Sequence, residues 1–337
     1  MKPNQYNVLS SHFPLVSLSN LASIIGYDRV YLKNIASKAG RYYDPFDIFK
    51  CRVNDRDTWR HIDNPKDELK HIQRKILKNI LSTVRLPDGI IGGVEGKSII
   101  DNAKQHIGKS MLVTLDLKNC FPRINNDKVF DVYCKVFGCS DENASILTRL
   151  TTFQRRLPQG APTSPMLANL TLLPLYNEMS LVLQNKNLTW TFYIDDIAIS
   201  GTDAHLYIGT IIDLIHKYGH GVSHKKKEIM PHNIHQEVTG IVTNTKPSIS
   251  KDEIEIIRNK ILELSNKSAL YSYELNSIKG SIAHIKRFCL VRGTALDELC
   301  KRLLPQVVIP GKKPMTLRIR KCKSTRCHIL KNAIKSV

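Results

Sequence analysis

At 337 residues, with 42% hydrophobic and 24% charged residues, the chain can bury a sizeable core, which excludes a disordered or fibrous protein. Lys and Arg total 50 against 30 Asp and Glu, a formal charge of +20 that points to a polyanionic partner, most often nucleic acid. No apolar run approaches the ~20 residues of a membrane helix, and Met1 to Tyr6 lacks the apolar core of a signal peptide. No membrane association is expected, and the scattered cysteines read as reduced cytoplasmic thiols. Cys322, Cys327 and His328 do not have the spacing of a zinc site.

In chain order, Leu18, Leu21, Ile24 and Ile25 predict a short helix, and Val30, Ile35 and Ala36 another. Residues 41–63 mix aromatic and charged side chains (Tyr42, Tyr43, Phe46, Phe49, Trp59, Arg60) and suit short strands. After Pro65, the span Asp67 to Val84 predicts an amphipathic helix, with Leu69, Ile72, Ile76, Ile80 and Leu81 on one face and Lys70, Arg74, Lys75 and Lys78 on the other. Gly92-Gly93-Val94-Glu95-Gly96-Lys97-Ser98 looks like a P-loop but lacks its first glycine, since Ile91 stands there. A glycine-rich turn whose backbone approaches a phosphate or a base remains open. Ser98 to His106 reads as a helix.

Met111 to Leu117 is the strongest strand pattern, and it ends in Asp116. A carboxylate closing a buried apolar strand is unusual, although an N-cap of a following helix is the plainer explanation. Arg155 to Pro162 is a loop rich in Gly and Pro. Thr163-Ser164-Pro165 then opens a helix whose apolar stripe runs from Met166 to Leu183. Trp190 to Tyr193 and Ile197 to Ile199 read as two strands meeting at a tight turn that carries Asp195 and Asp196. Leu206 to Lys217 is another amphipathic helix. A basic cluster with Lys225, Lys226 and Lys227 follows, then a strand at Val238 to Val242. From Lys251 onward the pattern is helical. Residues 311–337 carry nine Lys and Arg and no acid.

Three aspartates therefore stand at two strand ends. If the strands lie side by side, Asp116 and Asp195 can share a pair of Mg²⁺ ions through hard oxygen ligands. Two such ions clamp the attacking and leaving oxygens of a phosphoryl displacement. That chemistry also needs a grip on a triphosphate and a basic channel for a strand, and the sequence has candidates for both.

These residues resemble reverse transcriptases, and among them the retron type. Leu115-Asp116 through Phe121-Pro122 is similar to the family's first palm motif. Leu157-Pro158-Gln159-Gly160-Ala161-Pro162-Thr163-Ser164-Pro165, continuing to Leu167-Ala168-Asn169-Leu170, is similar to its second. Tyr193-Ile194-Asp195-Asp196 is similar to its third. Asn102-Ala103-Lys104-Gln105-His106 and Val238-Thr239-Gly240 carry the narrower retron likeness. Ile194 departs from the alanine that retron enzymes usually have there.

The resemblance implies an α+β right-hand polymerase. It has an N-terminal helical segment at 1–40, fingers at 41–110, a palm with a mixed sheet at 111–245, and a helical thumb at 246–337 ending in a basic RNA-binding tail. It implies that Asp116, Asp195 and Asp196, with the carbonyl of Leu117, hold two Mg²⁺ ions. Arg60 would grip the triphosphate; its guanidinium suits phosphate oxygens. Phe121 would stack under the deoxyribose and exclude a 2′-hydroxyl, and Gln159 and Gly160 would line the nucleotide pocket. Lys226, with Lys225 and Lys227 as neighbours that could take its place, would protonate the leaving pyrophosphate. Tyr193, Lys312, Lys313, Arg318 and Arg320 would meet the template or RNA, and Asn102 and His106 would either contact the RNA or support the site. Each has a plainer reading: Phe121 as a core aromatic, Arg60 as a surface ion-pair partner, His106 as a structural histidine.

The expected activity is RNA-directed DNA synthesis on a structured noncoding RNA, primed from an internal 2′-hydroxyl to give branched RNA–DNA. The expected setting is bacterial anti-phage defence with a separate effector protein, in the cytoplasm. Two alternatives are a group II intron-like enzyme, which usually carries a maturase or endonuclease extension that is not expected here, and an inactive RNA-binding scaffold.

Overall fold

A computed structural model describes Tyr6 and residues 14–53, 56–223, 226–305 and 308–310. The chain begins with two capped helices. α1 (Leu18–Ile25) starts where Ser17 accepts the Asn20 amide and stops at Gly26, whose φ of 79° suits glycine. α2 (Arg29–Ser37) is capped by Asp28, which accepts the Val30 and Tyr31 amides. Both pack against later helices, so α1 and α2 share the main core.

Residues 41–63, expected as short strands, form one long antiparallel hairpin of β1 (Tyr43–Val53) and β2 (Arg56–Pro65), with a register shift at Phe49/Cys51. α3 (Asp67–Asn79) is shorter than its apolar stripe predicts. Its last turn breaks at Ile80, and Ile80 and Leu81 enter the core from a 3₁₀ turn. α4 (Ile99–Lys104) is also shorter than expected. It opens with a capping box of Ser98 and Asp101 and ends before His106.

β3 (Met111–Asp116) leads into α5 (Cys120–Arg123), α6 (Asn126–Phe137), α7 (Asp141–Thr151) and α8 (Ser164–Leu183). α8 is apolar nearly all round and runs through the middle of the main core. β4 (Thr189–Tyr193) and β5 (Asp196–Ser200) form the tight hairpin, followed by α9 (Ile208–Lys217) and β6 (Glu228–Pro231). Sheet order is β4-β5-β3-β6, with every neighbour antiparallel. At the outer edge of β4 a parallel bridge joins Ile90 to Phe192.

The strand expected at Val238 to Val242 is a small hairpin, β7 (Glu237–Val238) and β8 (Ile241–Val242), turning through Thr239 and Gly240 at φ 50° and 83°. α10 (Lys251–Ser265), β9 (Leu270–Tyr271), α11 (Ser272–Phe288), α12 (Leu290–Leu303) and β10 (Val308–Ile309) complete the described chain. The last three helices build a second core from Ile257, Ile261, Ile278, Ile282 and Leu296, which also takes in Ala103 of α4 and Ile241 of β8. Among the described residues, Cys120, Cys134, Cys139, Cys289 and Cys300 are free thiols, and no helix is long and apolar enough to cross a membrane. Lys312, Lys313, Arg318, Arg320, Cys322, Cys327 and His328 lie outside the described residues.

Candidate active site

The sheet brings the three aspartates together. Leu112, Val113 and Leu115 bury β3, and Asp116 at its end stands opposite Asp196 in the antiparallel register of β5. Side chains so placed are ~5 Å apart at Cβ. The β4–β5 hairpin has a two-residue turn, Ile194-Asp195, between paired Tyr193 and Asp196. Ile194 takes φ 61°, strained for a β-branched residue. The Leu117 amide donates to the Asp195 carbonyl at 2.8 Å, which pins the turn to the end of β3. The Ser223 amide donates to the Asp116 carbonyl at 2.8 Å, and the Lys226 ammonium ion-pairs with the Asp116 carboxylate.

The site carries more negative charge than its own cations neutralise. Asp195 is held above the usual carboxylate range, mainly by burial and then by Asp116, against the opposing pull of Lys226 and Arg60. Asp196 is pushed up to about 6 by burial, Asp195 and Asp116. Its side chain is itself exposed, so water screens part of that penalty. Lys226 is raised by its bond to Asp116. This surplus is what a divalent cation would relieve. Among the described residues no three acidic, His or Cys side chains are grouped so as to hold a metal ion by themselves. Mg²⁺ commonly takes one or two carboxylates and completes its shell with water and substrate phosphates.

The nucleotide-side candidates flank this centre. Arg60 lies on β2 close enough for its charge to be felt at Asp195. The Gln159-Gly160 loop packs on the same strand: the Asp63 amide donates to the Gln159 carbonyl at 2.7 Å. Phe121, on α5, is half-buried against the main core.

His106 sits elsewhere than a direct RNA contact requires. His106 is fully buried, with Nδ1 2.7 Å from the Ser200 hydroxyl and Nε2 2.8 Å from the Thr191 hydroxyl. It joins β5 to β4 and supports their hairpin from within, because no surface remains for a nucleotide to touch. Asn102 is buried too and donates to the Thr239 hydroxyl at 3.4 Å. It forms one wall of a cavity of about 250 Å³ whose other walls include Asp116, Asp196, Lys226 and Thr239.

Burial lowers the His106 pKa from 6.5 to about 3. The folded protein therefore keeps it neutral while the unfolded chain takes up a proton below pH ~6.5. Stability linked to this group is present above that pH and is lost as pH falls toward 3, at about 1.4 kcal/mol per pH unit. Urea unfolding at pH 6.5, 5.5 and 4.5 is expected to show a steeper loss for the wild type than for His106→Asn, by roughly that slope. Equal slopes would mean that the ring is not held neutral.

Sequence reasoning missed the support of the hairpin from its other side. The glycine-rich turn approaches the backbone of the hairpin. The Phe192 amide donates to the Gly89 carbonyl at 2.8 Å, and the Ile91 amide to the Phe192 carbonyl at 2.9 Å. A Cβ on Gly92 would lie 2.7 Å from both the Ile194 nitrogen and the Tyr193 carbonyl carbon. Buried Asn169 of α8 donates to the Gly92 carbonyl at 2.7 Å, so the second motif's helix holds the turn against the third motif's hairpin. An amide flanked by the apolar residues Leu167, Ala168 and Leu170 was the available signal.

Comparison with known proteins agrees with this geometry. Residues 50–243 match the family model described as reverse transcriptase (RNA-dependent DNA polymerase). The chain is 31% identical over 231 residues to the retron Ec86 reverse transcriptase of Escherichia coli, covering 67% of this chain and 71% of that protein. It is 26% identical over 313 residues to the retron Se72 reverse transcriptase of Salmonella heidelberg, covering 87% and 80%. Among solved structures, a Candida albicans telomerase is similar at a TM-score of 0.44 and 12% identity, over 79% of this chain and 59% of that one. With a family model covering more than half of it, and a retron relative matched over most of its length, the chain belongs to the reverse transcriptases, RNA-directed DNA polymerases, and within them to the bacterial retron type.

Proposed function

We propose that this chain copies part of a structured noncoding RNA into DNA, starting from an internal 2′-hydroxyl of that RNA and leaving a branched RNA–DNA product. The observation that carries the reading is the register of Asp116 with Asp196 under the Asp195 turn: an uncompensated acidic centre on rigid strand ends. Asp116, Asp195 and Asp196, with the carbonyl of Leu117, would hold two Mg²⁺ ions, which when bound supply a clamp on the attacking and leaving oxygens. Arg60 orients the triphosphate of the incoming dNTP, Gln159 and Gly160 line its pocket, and Phe121 stands where a ribose 2′-hydroxyl would clash. Lys226 keeps a proton at Nζ within reach of the leaving pyrophosphate. Tyr193 faces the template strand. The cavity between Asn102, Thr239 and the carboxylates offers room beside the reacting centre for the nucleotide that bears the priming hydroxyl.

In this reading the fingers span 41–110, the palm 111–245 and the thumb 246–337, and the second core supports a thumb boundary near 246. The basic C-terminal residues Lys312, Lys313, Arg318 and Arg320 bind an RNA stem through its phosphates. Retron membership supports a cytoplasmic role in anti-phage defence with a separate effector protein.

The test is synthesis by the purified chain on the noncoding RNA encoded beside its gene, with dNTPs and Mg²⁺. The expected product is DNA that survives RNase yet keeps one ribonucleotide linked through its 2′-oxygen. That linkage resists phosphodiesterases specific for 3′–5′ bonds and yields to a debranching enzyme. A product with no such linkage would reject 2′-priming and leave reverse transcription standing.

A further inference from the structure

The two faces of β2 do different work. Arg60 and Ile62 share one, and His61 and Asp63 the other. Asp63 is only 1% exposed. One carboxylate oxygen accepts the Gln159 amide at 3.3 Å. The other lies 3.0 Å from His61 Nε2 and 3.6 Å from the Arg156 guanidinium. His61 Nδ1 reaches Asp47 of the opposite strand at 2.8 Å. On the other face, a Cβ on Gly160 would come within 3.0 Å of Ile62 Cγ2, so hairpin and loop already touch there.

The loop is fastened at its far side too. It turns through Gln154 and Arg155, both left-handed at φ 50° and 61°, and the Leu157 amide donates to the Ile124 carbonyl at 2.8 Å, just beyond the helix that carries Phe121. Asp63 thus closes a bridge from the hairpin of Arg60, through the loop of Gln159, to the segment of Phe121. A buried carboxylate with this many partners fixes spacing well, because moving either wall leaves charge unpaired.

We infer that Asp63 is a positioning residue for nucleotide binding, setting the spacing between Arg60 and the Gln159-Gly160 loop. The inference rests on the proposed nucleotide contacts of those residues. Asp63 touches no substrate. Its loss weakens the grip on the incoming dNTP and leaves the carboxylates that perform the transfer in place.

The experiment is single-nucleotide incorporation by the full chain on a primer–template with Mg²⁺, reading KM for dNTP and kcat separately, with thermal unfolding in parallel. Asp63→Ala is expected to raise KM for dNTP by about tenfold or more while kcat stays within about threefold, as for loss of a buried charged hydrogen-bond acceptor. Asp63→Asn keeps the shape and an acceptor for the Gln159 amide and is expected to raise KM by roughly threefold. In Arg60→Ala with Asp63→Ala, the two effects are expected to combine to less than their product, because one acts through the other.

A lower unfolding temperature with unchanged KM in either Asp63 variant would reduce the residue to ordinary packing and overturn the inference. If Asp63→Ala does not fold, the Asn variant decides alone by the same criterion. Should Arg60→Ala leave KM for dNTP unchanged, the nucleotide-pocket reading fails and takes this inference with it. If Arg60→Ala raises KM and the Asp63 variants do not, only the inference falls.

Discussion

Asp195→Ala combined with Asp196→Ala is expected to eliminate RNA-templated DNA synthesis, by ~10³-fold at the least, while the protein stays folded. The two side chains sit at the tip of a hairpin whose pairing is carried by main chain, Tyr193 with Asp196 and the Leu117 amide with the Asp195 carbonyl, so alanine keeps those bonds. What disappears is the means of holding cations at the reacting phosphate, a contribution of several kcal/mol to the transition state, and each ~1.4 kcal/mol is a factor of ten in rate. Folding should not suffer. Asp195 and Asp196 both ionise less readily than free carboxylates, first because they are buried and then because Asp116 repels both and Asp195 repels Asp196. Relieving that repulsion is expected to leave the metal-free melting temperature unchanged or higher. Primer extension and a thermal melt on the same preparation check both halves. Residual synthesis near the wild-type rate would remove these residues from the mechanism.

Gly92→Ala is expected to lower activity by roughly 100-fold by displacing the hairpin main chain, with every side chain proposed to meet substrate left unaltered. The added methyl would sit 2.7 Å from backbone atoms of Tyr193 and Ile194, which no real Cβ tolerates. Those atoms are main chain and cannot rotate aside. Either the hairpin moves or the turn does, and the turn is held by Asn169. A displacement near 1 Å at a reacting group costs about 10² in rate. Overpacking of this kind also destabilises by ~1–3 kcal/mol. The informative measurement is kcat on a saturated primer–template, well below the melting temperature, in Gly92→Ala and in Gly96→Ala. Gly96 has open space around its Cβ position, although its φ of 77° strains any side chain. It therefore reports backbone strain alone, and a similar loss in both variants would reject the clash as the cause.

The carboxylate centre was legible because its signal is local: an apolar strand ending in Asp116, and an Asp-Asp pair between two apolar runs. Burial of both strands was legible too, but the antiparallel pairing of β3 with β5 was not, because burial alone does not set strand direction. Boundaries were less legible. The apolar periodicity of Asp67 to Val84 continues past the end of α3, since Ile80 and Leu81 stay buried after the helix has broken. Periodicity reports which residues face the core and not which amides are bonded. The β1–β2 hairpin was fragmented in the reading because a register shift breaks its alternation. Gly92-Gly93 announced that something approaches closely, and its neighbour proved to be Ile194 of the same chain. Asp63 carried no sign at all, because its partners Arg156 and Gln159 become neighbours only in three dimensions. His106 could be named from its motif, but its burial between Thr191 and Ser200 depends on where α4 ends.

α4 has a further consequence. Its Ala103 is built into the hydrophobic core of the C-terminal helices, and three residues later His106 grips both strands of the catalytic hairpin. The short segment from α4 through the turn at His106 thus joins the second core to the β4–β5 hairpin. A displacement of the three-helix core would therefore be passed, through close-packed side chains, to Thr191 of β4 and Ser200 of β5.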